Sequence, residues 1–483
     1  MEKKLYTLKD TNDPAKQDLY IKKSKDVQDF FTYFNSFSLK KWKAYTTLEQ
    51  VTLRMEVRGK WKITWQTADG SGVHILGEET ISGENYEHTF AVHSLSAVLL
   101  GFQLQPLSQD AKFISGAWFG EFPHWKEKTI GISITTFKRE AYVTKNMALL
   151  KQFQQDHPWL YVQVVDNGHT LPEEESGRFR LIHNPNFGGS GGFTRGLMEY
   201  VNRGSADYVL LMDDDINLET GALERTHSLI CSLKDEFAES FLAGAMLQME
   251  KPVVQHENTA YWNKIKSEVR GQNIDLSQID KLCNNETEAY NSNDYAGWWY
   301  CCIPLKRIIQ IGYPIPAFIK SDDMEYGIRN NCELIRMNGI GVWHDAFLKK
   351  MTPIIRFYSD RNSFILNHYA HGCNRFTLLL AVLGRIIKRI IKMDLVYLNV
   401  LAIALEEYQK GFYRLTQVRA DVYFQKMKNR ISDHFEFISL AKIAANLLKI
   451  MINYHYINDE YIDFRERELK TQNFWARYMD FKE

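Results

Sequence analysis

Along the first quarter of the chain apolar and polar positions alternate. Val51, Leu53, Met55 and Val57 interleave with Thr52, Arg54, Glu56 and Arg58, then Trp61, Ile63 and Trp65 with Lys62 and Thr64. A period of two is that of a half-buried strand. Turn signals at Ala68-Asp69-Gly70-Ser71-Gly72 and Ser82-Gly83-Glu84-Asn85 punctuate the alternation, so about 26–125 reads as an antiparallel β-sandwich. From Lys128 the rhythm becomes strand then helix: strands over 129–135, 161–165, 178–183 and 208–212, helices over 140–155 and 192–202. Such alternation predicts a parallel sheet with ligands at the carboxyl ends of its strands. The polar stretch 251–293 reads as a loop or lid outside that sheet. Beyond about Pro353 the period is helical throughout. The expected layout is a multidomain α/β chain: a β-sandwich over 1–127, a Rossmann-like domain over 128–352 and a helical domain over 353–483.

Composition adds exclusions. A chain of 483 residues that is 45% hydrophobic and 13% aromatic is folded and too long for one core. Its 59 basic and 59 acidic residues cancel, so no global positive field argues for a nucleic-acid partner. Cys231, Cys283, Cys301, Cys302, Cys332 and Cys373 are scattered without a CxxC and read as reduced thiols. The N-terminal residues MEKKLYTLKD carry no apolar core of a secretory signal. The longest uncharged apolar run, 376–384, is about half of a bilayer span. The expectation is a cytoplasmic protein, soluble or peripheral at the inner face of the cell membrane. Within 383–392, Arg385, Lys388, Arg389 and Lys392 share one helical face and Ile386, Ile387, Ile390 and Ile391 the other. That is either a basic solvent face over a core stripe or a helix lying on an anionic leaflet.

The chemistry concentrates in five segments. The apolar run Tyr208–Met212 ends in Asp213, Asp214 and Asp215. Three adjacent carboxylates at the end of a buried strand repel one another and resist desolvation unless a cation sits among them. In an extended segment Asp213 and Asp215 point one way and Asp214 the other, so the outer pair suits Mg²⁺ or Mn²⁺; the bland alternative is a solvated acidic turn. The loop Asn186-Phe187-Gly188-Gly189-Ser190-Gly191-Gly192 lets backbone approach a ligand and exposes amides at a helix N-terminus. It is neither a GxGxxG fingerprint nor a P-loop. Asp322 and Asp323 open a helix whose dipole would keep them ionised, as a general base requires, or they are simple N-caps. His344 ends a short strand in Trp343-His344 and supplies the third metal ligand wanted. Tyr295-Ala296-Gly297-Trp298-Trp299-Tyr300 reads as a sugar-stacking wall.

Together these segments resemble glycosyltransferase family 2 with the GT-A fold, and more closely the bacterial UDP-galactofuranose-dependent galactofuranosyltransferases. The likeness rests on TTF-x-R at 135–139, N-x-GGSGG at 186–192, MDDD at 212–215, AGWW at 296–299, F-x-K-x-DD-x-EY at 318–326 and WH at 343–344. It implies an inverting transfer to a glycan or glycolipid acceptor in cell-surface polysaccharide synthesis. By that resemblance Arg139, Asn167, Asn186 and Asp214 contact the UDP-sugar donor, and Asp213, Asp215 and His344 hold Mn²⁺ or Mg²⁺. Trp298, Trp299 and Asp322 shape the acceptor site, and Asp323 is the base. Ser321 stands where polymerising members carry Trp, which leaves the acceptor and the number of sugars added open, as is homo-oligomerisation. The rival expectations are a family 2 transferase using another nucleotide sugar (galactose, glucose or rhamnose), a nucleotidyltransferase, and a non-catalytic carbohydrate-binding protein.

Overall fold

The structure is a computed structural model that describes residues 1–287, 292–345, 351–431 and 435–480. The alternating N-terminal segment forms two facing antiparallel sheets. One orders strands Glu2–Thr7, Lys112–Glu121, Gln50–Arg58 and Asn85–Ala91; the other orders Lys22–Lys23, Gln28–Asp29, Leu99–Pro106, Lys60–Asp69 and Gly72–Ser82. Val51, Leu53, Val57, Trp61 and Ile63 are buried, as their period of two predicts. The turn at 68–72 closes the hairpin between Lys60–Asp69 and Gly72–Ser82. The turn at 82–85 instead carries the chain across to the other sheet, where Asn85–Ala91 pairs with Gln50–Arg58. The sandwich also starts earlier than the alternation does. Strand Glu2–Thr7 buries only Leu5 and Tyr6, too few positions to register as a period.

The central sheet has a parallel heart. Phe179–His183, Leu160–Asp166, Ile130–Thr136 and Tyr208–Asp213 lie side by side and parallel, with sequence order reversing at Ile130–Thr136. A crevice therefore opens at the carboxyl ends of Ile130–Thr136 and its neighbours. Beyond Tyr208–Asp213 the sheet turns mixed: Cys301–Pro304 is antiparallel to it, and Leu242–Gln248 pairs with Cys301–Pro304 and, in parallel, with Ile335–His344. The stretch expected as an external lid is only partly so. Val254–Glu257 and Ile274–Asp275 extend the central sheet at its edge, and Thr259–Trp262 forms a small sheet with Ser267–Arg270 and Asp294–Tyr295. Polar residues are buried there because they satisfy one another: Gln255 donates to Gly271 (2.8 Å), and Gln255 and Asn258 both donate to Asn285 (3.1 and 2.7 Å).

The sandwich and the central sheet share a continuous core that includes Trp42, Trp118, Ile132 and Leu210. Glu286, on helix Ile279–Thr287, accepts from the Ser38 hydroxyl (2.9 Å) and the Asn338 amide (2.5 Å), tying the sandwich to strand Ile335–His344. The C-terminal helices are joined just as firmly. Helix Asn473–Met479 returns to the central domain, where the Trp475 indole donates to the Pro314 carbonyl (2.9 Å) and Phe187 meets Tyr478 edge-on.

One expectation about the helical region is corrected in part: Lys388 and Lys392 are exposed and Ile386 packs on the core, but the arginines and the other isoleucines trade places. In helix Arg375–Ile391, Arg385 points inward to Asp360 (2.9 Å) and Ser363 (2.7 Å), and Arg389 pairs with Asp394 (3.0 Å) over the ring of Tyr397. Ile387, Ile390 and Ile391 face solvent instead. The arginines find acids inside the bundle, which the period alone does not reveal. No helix among the described residues is long and apolar enough to cross a membrane.

His368 sits in the bundle between Tyr408 and Tyr461, its ring nitrogens meeting Asn458 Oδ1 (3.0 Å) and the Tyr408 hydroxyl (2.5 Å). Burial lowers its pKa to about 4. The unfolded chain therefore takes up this proton first as pH falls, and stability is lost from about pH 6.5 down to about 4. Over that span the single group removes up to about 3 kcal/mol. Thermal unfolding followed against pH should show the fall, and His368→Gln should flatten it.

Candidate active site

The three aspartates lie where strand Tyr208–Asp213 runs out at the crevice. The Asp214 carboxylate turns to the neighbouring strand and accepts from the Thr136 hydroxyl (2.7 Å). Asp213 and Asp215 turn the other way, toward His344 at the end of Ile335–His344: His344 Nε2 lies 3.0 Å from Asp215 and 3.9 Å from Asp213. The opposite ring nitrogen, Nδ1, donates to the Asp345 carbonyl (2.7 Å), which turns Nε2 toward the two acids; against the lowering effect of burial, the bond to Asp215 and the charges of Asp213 and Asp215 raise the His344 pKa, and loss of that proton frees the Nε2 lone pair for a cation. Ligand atoms of Asp213, Asp215 and His344 all lie within 4.8 Å of one another. Two carboxylates and an imidazole oriented by a second hydrogen bond fit a divalent cation such as Mn²⁺ or Mg²⁺.

Arg139 reaches over this cluster, bonding Asp215 and approaching Asp214 at 3.3 Å. Burial pushes the Asp214 carboxyl up to about 6, against the Thr136 bond and the Arg139 charge, and its acidic neighbours add to the rise. Asn146 fixes the turn by donating to the carbonyls of Asp214 (3.1 Å) and Ile216 (3.0 Å).

Across the cavity stands the acid pair. Asp322 and Asp323 open helix Asp322–Asn330, and the loop before them is strained: Phe318, Lys320 and Ser321 have φ of 72°, 67° and 68°. Asn362 holds that loop by donating to the carbonyls of Ala317 (3.1 Å), Ile319 (2.9 Å) and Lys320 (2.8 Å), and Arg361 also donates to Ala317 (3.0 Å). The helix dipole does not dominate here. Burial raises the pKa of both Asp322 and Asp323, and the charge of Asp323 raises that of Asp322 further.

The glycine loop is the other brace. Its helix begins at Gly188 and runs to Arg203, so the glycines form the first turn rather than a loop ahead of it. The Ser190 amide donates to the Phe318 carbonyl (3.2 Å), Gly191 to Phe187 (3.2 Å) and Gly188 to Asn186 Oδ1 (3.1 Å). These amides are used within the protein. At Gly188, with φ +70°, a Cβ would stand 2.1 Å from the Phe318 carbonyl; at Gly192 it would stand 2.1 Å from Thr135. The glycines thus permit close packing against the acid-pair loop and the sheet.

A cavity of about 550 Å³ brings these groups together, with Arg139, Asp213, Asp214, Asp215 and His344 on one side and Asp322 and Asp323 on the other. Trp298 and Trp299 line it too, although each is more than nine-tenths buried. Trp298 packs edge-on against Phe193 and Tyr326, and the Trp299 indole donates to Gly244 (2.9 Å); Tyr300 is core, bonded to Thr226 (2.6 Å). The aromatic segment is therefore a wall set into the core rather than an open stacking platform. Asn167 and Asn186 do not line the cavity: Asn167 donates to the Gly188 carbonyl (3.0 Å) and accepts from Asn184 (2.8 Å).

Sequence reasoning missed Glu257. It ends strand Val254–Glu257, next to the sheet edge, lines the cavity, and has its pKa raised to about 7 by burial and then by Asp323. A lone acid in a polar stretch gives no signal of its own. A second trio, Glu127, His227 and Cys231, gathers on another face, yet the His227 ring nitrogen bonds the Lys128 carbonyl (2.9 Å) and the ring stacks on Trp159.

Residues 3–120 match the family described as Galactofuranosyltransferase 2 N-terminal. The galactofuranosyltransferase GlfT2 of Mycolicibacterium smegmatis is 26% identical over 377 residues, which cover 70% of this chain and 56% of that protein. GlfT2 of Mycobacterium tuberculosis is 27% identical over the same length, covering 70% of this chain and 57% of that one. The chain is GlfT2-like, and what it matches is little more than half the length of those relatives. Among solved structures, Staphylococcus aureus TarS 1–349 with UDP aligns over 68% of this chain and 91% of its own at 13% identity and a TM-score of 0.36. The Pyrobaculum calidifontis mannosyltransferase PcManGT with GDP-Man and Mn²⁺ aligns over 68% and 88% at 9% identity and a TM-score of 0.33.

Gly188→Ala should disturb the acid-pair loop, since the added methyl meets backbone and the φ is left-handed; a loss of about 1–3 kcal/mol is expected. Gly189→Ala, where the nearest atom is Asp322 Oδ2 at 4.0 Å, should be tolerated. Denaturant unfolding of the two variants compares them directly.

Proposed function

We propose that this GlfT2-like chain is an inverting, metal-dependent glycosyltransferase that moves galactofuranose from UDP-galactofuranose to a glycan acceptor, lipid-linked, at the cytoplasmic face of the membrane. The observation that carries the reading is the single cavity with a metal-type trio on one side and a buried acid pair on the other. A glycoside hydrolase would pair its carboxyls as acid and nucleophile or base at fixed separation and would have no use for the trio.

Asp213, Asp215 and His344 would hold Mn²⁺ or Mg²⁺, which when bound supplies a Lewis acid for a diphosphate leaving group. Arg139, already beside these acids, is placed to contact the donor diphosphate. Asp323 takes the proton of an acceptor hydroxyl; that oxygen bonds the anomeric carbon as the bond from the carbon to the UDP oxygen breaks on the opposite face. Configuration inverts, and UDP leaves with the bonding pair. The raised pKa of Asp323 suits it to keep the proton it removes. Asp322 and Glu257, which line the same cavity, would orient acceptor hydroxyls, with Trp298 and Trp299 limiting where the sugar sits.

Purified protein incubated with Mn²⁺, simple galactoside acceptors and a panel of UDP-sugars tests the donor: UDP release should be largest with UDP-galactofuranose. Release from UDP-galactose or UDP-glucose alone would reassign the sugar, and no release from any donor would leave a binding protein.

Asp215→Ala and His344→Ala should each abolish metal-dependent UDP binding, measured by calorimetry with Mn²⁺ present. Unchanged binding in both would remove the proposed site. Asp323→Asn should keep donor binding while turnover falls by about 10²-fold or more. If Asp322→Asn is the inactive variant and Asp323→Asn is near wild type, the two roles are exchanged.

A further inference from the structure

Besides the cavity with the aspartates, the fold holds a second one of about 640 Å³ at the opposite end of the central sheet. Tyr208 lines this cavity and Asp213 the other, and both lie on strand Tyr208–Asp213. Five steps of about 3.3 Å along a strand put roughly 17 Å between them. The space lies where the sandwich joins the sheet, between Thr47 and His124 on one side and helix Leu305–Ile311 on the other. Ala206, Tyr208, Ile230, Cys231, Leu305 and Ile309 make its floor apolar. Its volume lies within the range of about 300–1,000 Å³ typical of small-molecule sites.

The polar lining is predominantly basic and only partly neutralised. His124, Lys126, Lys128, Lys234 and Lys306 stand against two acids, Asp207 and Asp235. Lys126 pairs with Asp235 (3.0 Å) and Lys128 with Asp207 (3.1 Å), while the Lys234 ammonium donates to the carbonyls of Lys43 (3.0 Å) and Ala44 (2.6 Å). Among the described residues Lys306 and the His124 ring form no ion pair or hydrogen bond. Tyr208 adds a third free donor: it is only 6% exposed, and its hydroxyl bonds no described residue. Burial pushes the phenol pKa up, so it keeps its proton. The neighbouring carboxylate of Asp207 is already engaged by the Thr129 amide (2.9 Å) and hydroxyl (3.0 Å). A buried hydroxyl without an acceptor is the exception in folded proteins. A ligand with negatively charged oxygens supplies the acceptors that these three donors lack.

We propose that this second cavity binds a small amphiphilic anion, a phosphate or carboxylate carried on a compact apolar body. Lys306, His124 and Tyr208 take the anionic oxygens, and the floor around Ala206, Ile230 and Leu305 takes the body. The ligand is not the sugar donor, since the site lies at the other end of strand Tyr208–Asp213 and shares no lining residue with the cavity of the aspartates. Binding here is independent of the transfer reaction proposed above.

Calorimetric titration of the full chain with 1-naphthyl phosphate tests the proposal, with 1-naphthol as the uncharged probe and each run repeated with saturating UDP and Mn²⁺. The phosphate should bind at one site per chain, UDP and Mn²⁺ should leave that binding in place, and naphthol should bind at least about tenfold more weakly. Lys306→Gln and Tyr208→Phe should each weaken the phosphate by about fivefold or more. Ile309, 58% exposed, offers a third variant: Ile309→Glu sets a negative charge at the cavity and should weaken the phosphate by at least as much. Melting temperatures near the parental value identify folded variants, and the exposed positions Lys306 and Ile309 decide alone if Tyr208→Phe fails to fold. Absence of saturable binding overturns the proposal, as does equal affinity for naphthol or loss of binding once UDP and Mn²⁺ are added. Parental affinity in both Lys306→Gln and Ile309→Glu overturns it as well.

Discussion

Everything around the cavity answers to one electrostatic constraint: six carboxylates, Asp213, Asp214, Asp215, Glu257, Asp322 and Asp323, face a common space of about 550 Å³. Brought together out of water they repel and lose hydration, and the result is visible in raised pKa values for Asp213, Asp214, Glu257, Asp322 and Asp323. Arg139, His344 and the Thr136 hydroxyl offset part of that repulsion on one side, and backbone amides of the helix start offset part on the other. Such an arrangement persists only if the rest of the fold stabilises it.

The means are structural braces drawn from every part of the chain. The sandwich positions the strand that carries His344: Glu286 clamps Asn338, and Phe34 packs on Trp343 at 5.6 Å. The helical region positions the acid pair, because Asn362 and Arg361 satisfy the carbonyls of a loop with three left-handed non-glycine residues. The glycine turn completes the clamp from the side of the sheet. Strain of about 1–3 kcal/mol per such residue is held where the surroundings over-determine the backbone.

This division of labour explains why three structurally different regions form one molecule. The central sheet supplies strand ends at a switch point, which is where an open sheet can present side chains to a ligand. The sandwich and the helices add few groups to the cavity, with Met351 and Ile355 at its rim, yet they hold the segments that do. The helix that braces the acid-pair loop through Arg361 and Asn362 is itself tied to helix Arg375–Ile391 by the bond between Asp360 and Arg385.

Local periodicity and charge made much of this legible in the sequence. The period of two in 51–65, the strand ending in Asp213-Asp214-Asp215 and the opposed directions of successive strand residues are properties of neighbouring positions, and the structure carries them as read. Side-chain partners contributed by distant segments were not legible. Glu257 became a cavity wall because strand Val254–Glu257 ends there, Asn167 turned to the glycine helix, and the amides of Gly188, Ser190 and Gly191 were taken up by Asn186, Phe318 and Phe187. The helix with four isoleucines shows the limit most clearly. Its amphipathic pattern follows from the sequence alone, but Asp360, Ser363 and Asp394 draw Arg385 and Arg389 inward beside Ile386, which leaves Ile387, Ile390 and Ile391 in solvent with Lys388 and Lys392. A period fixes how residues are divided between faces; only the packed neighbours determine which face is buried.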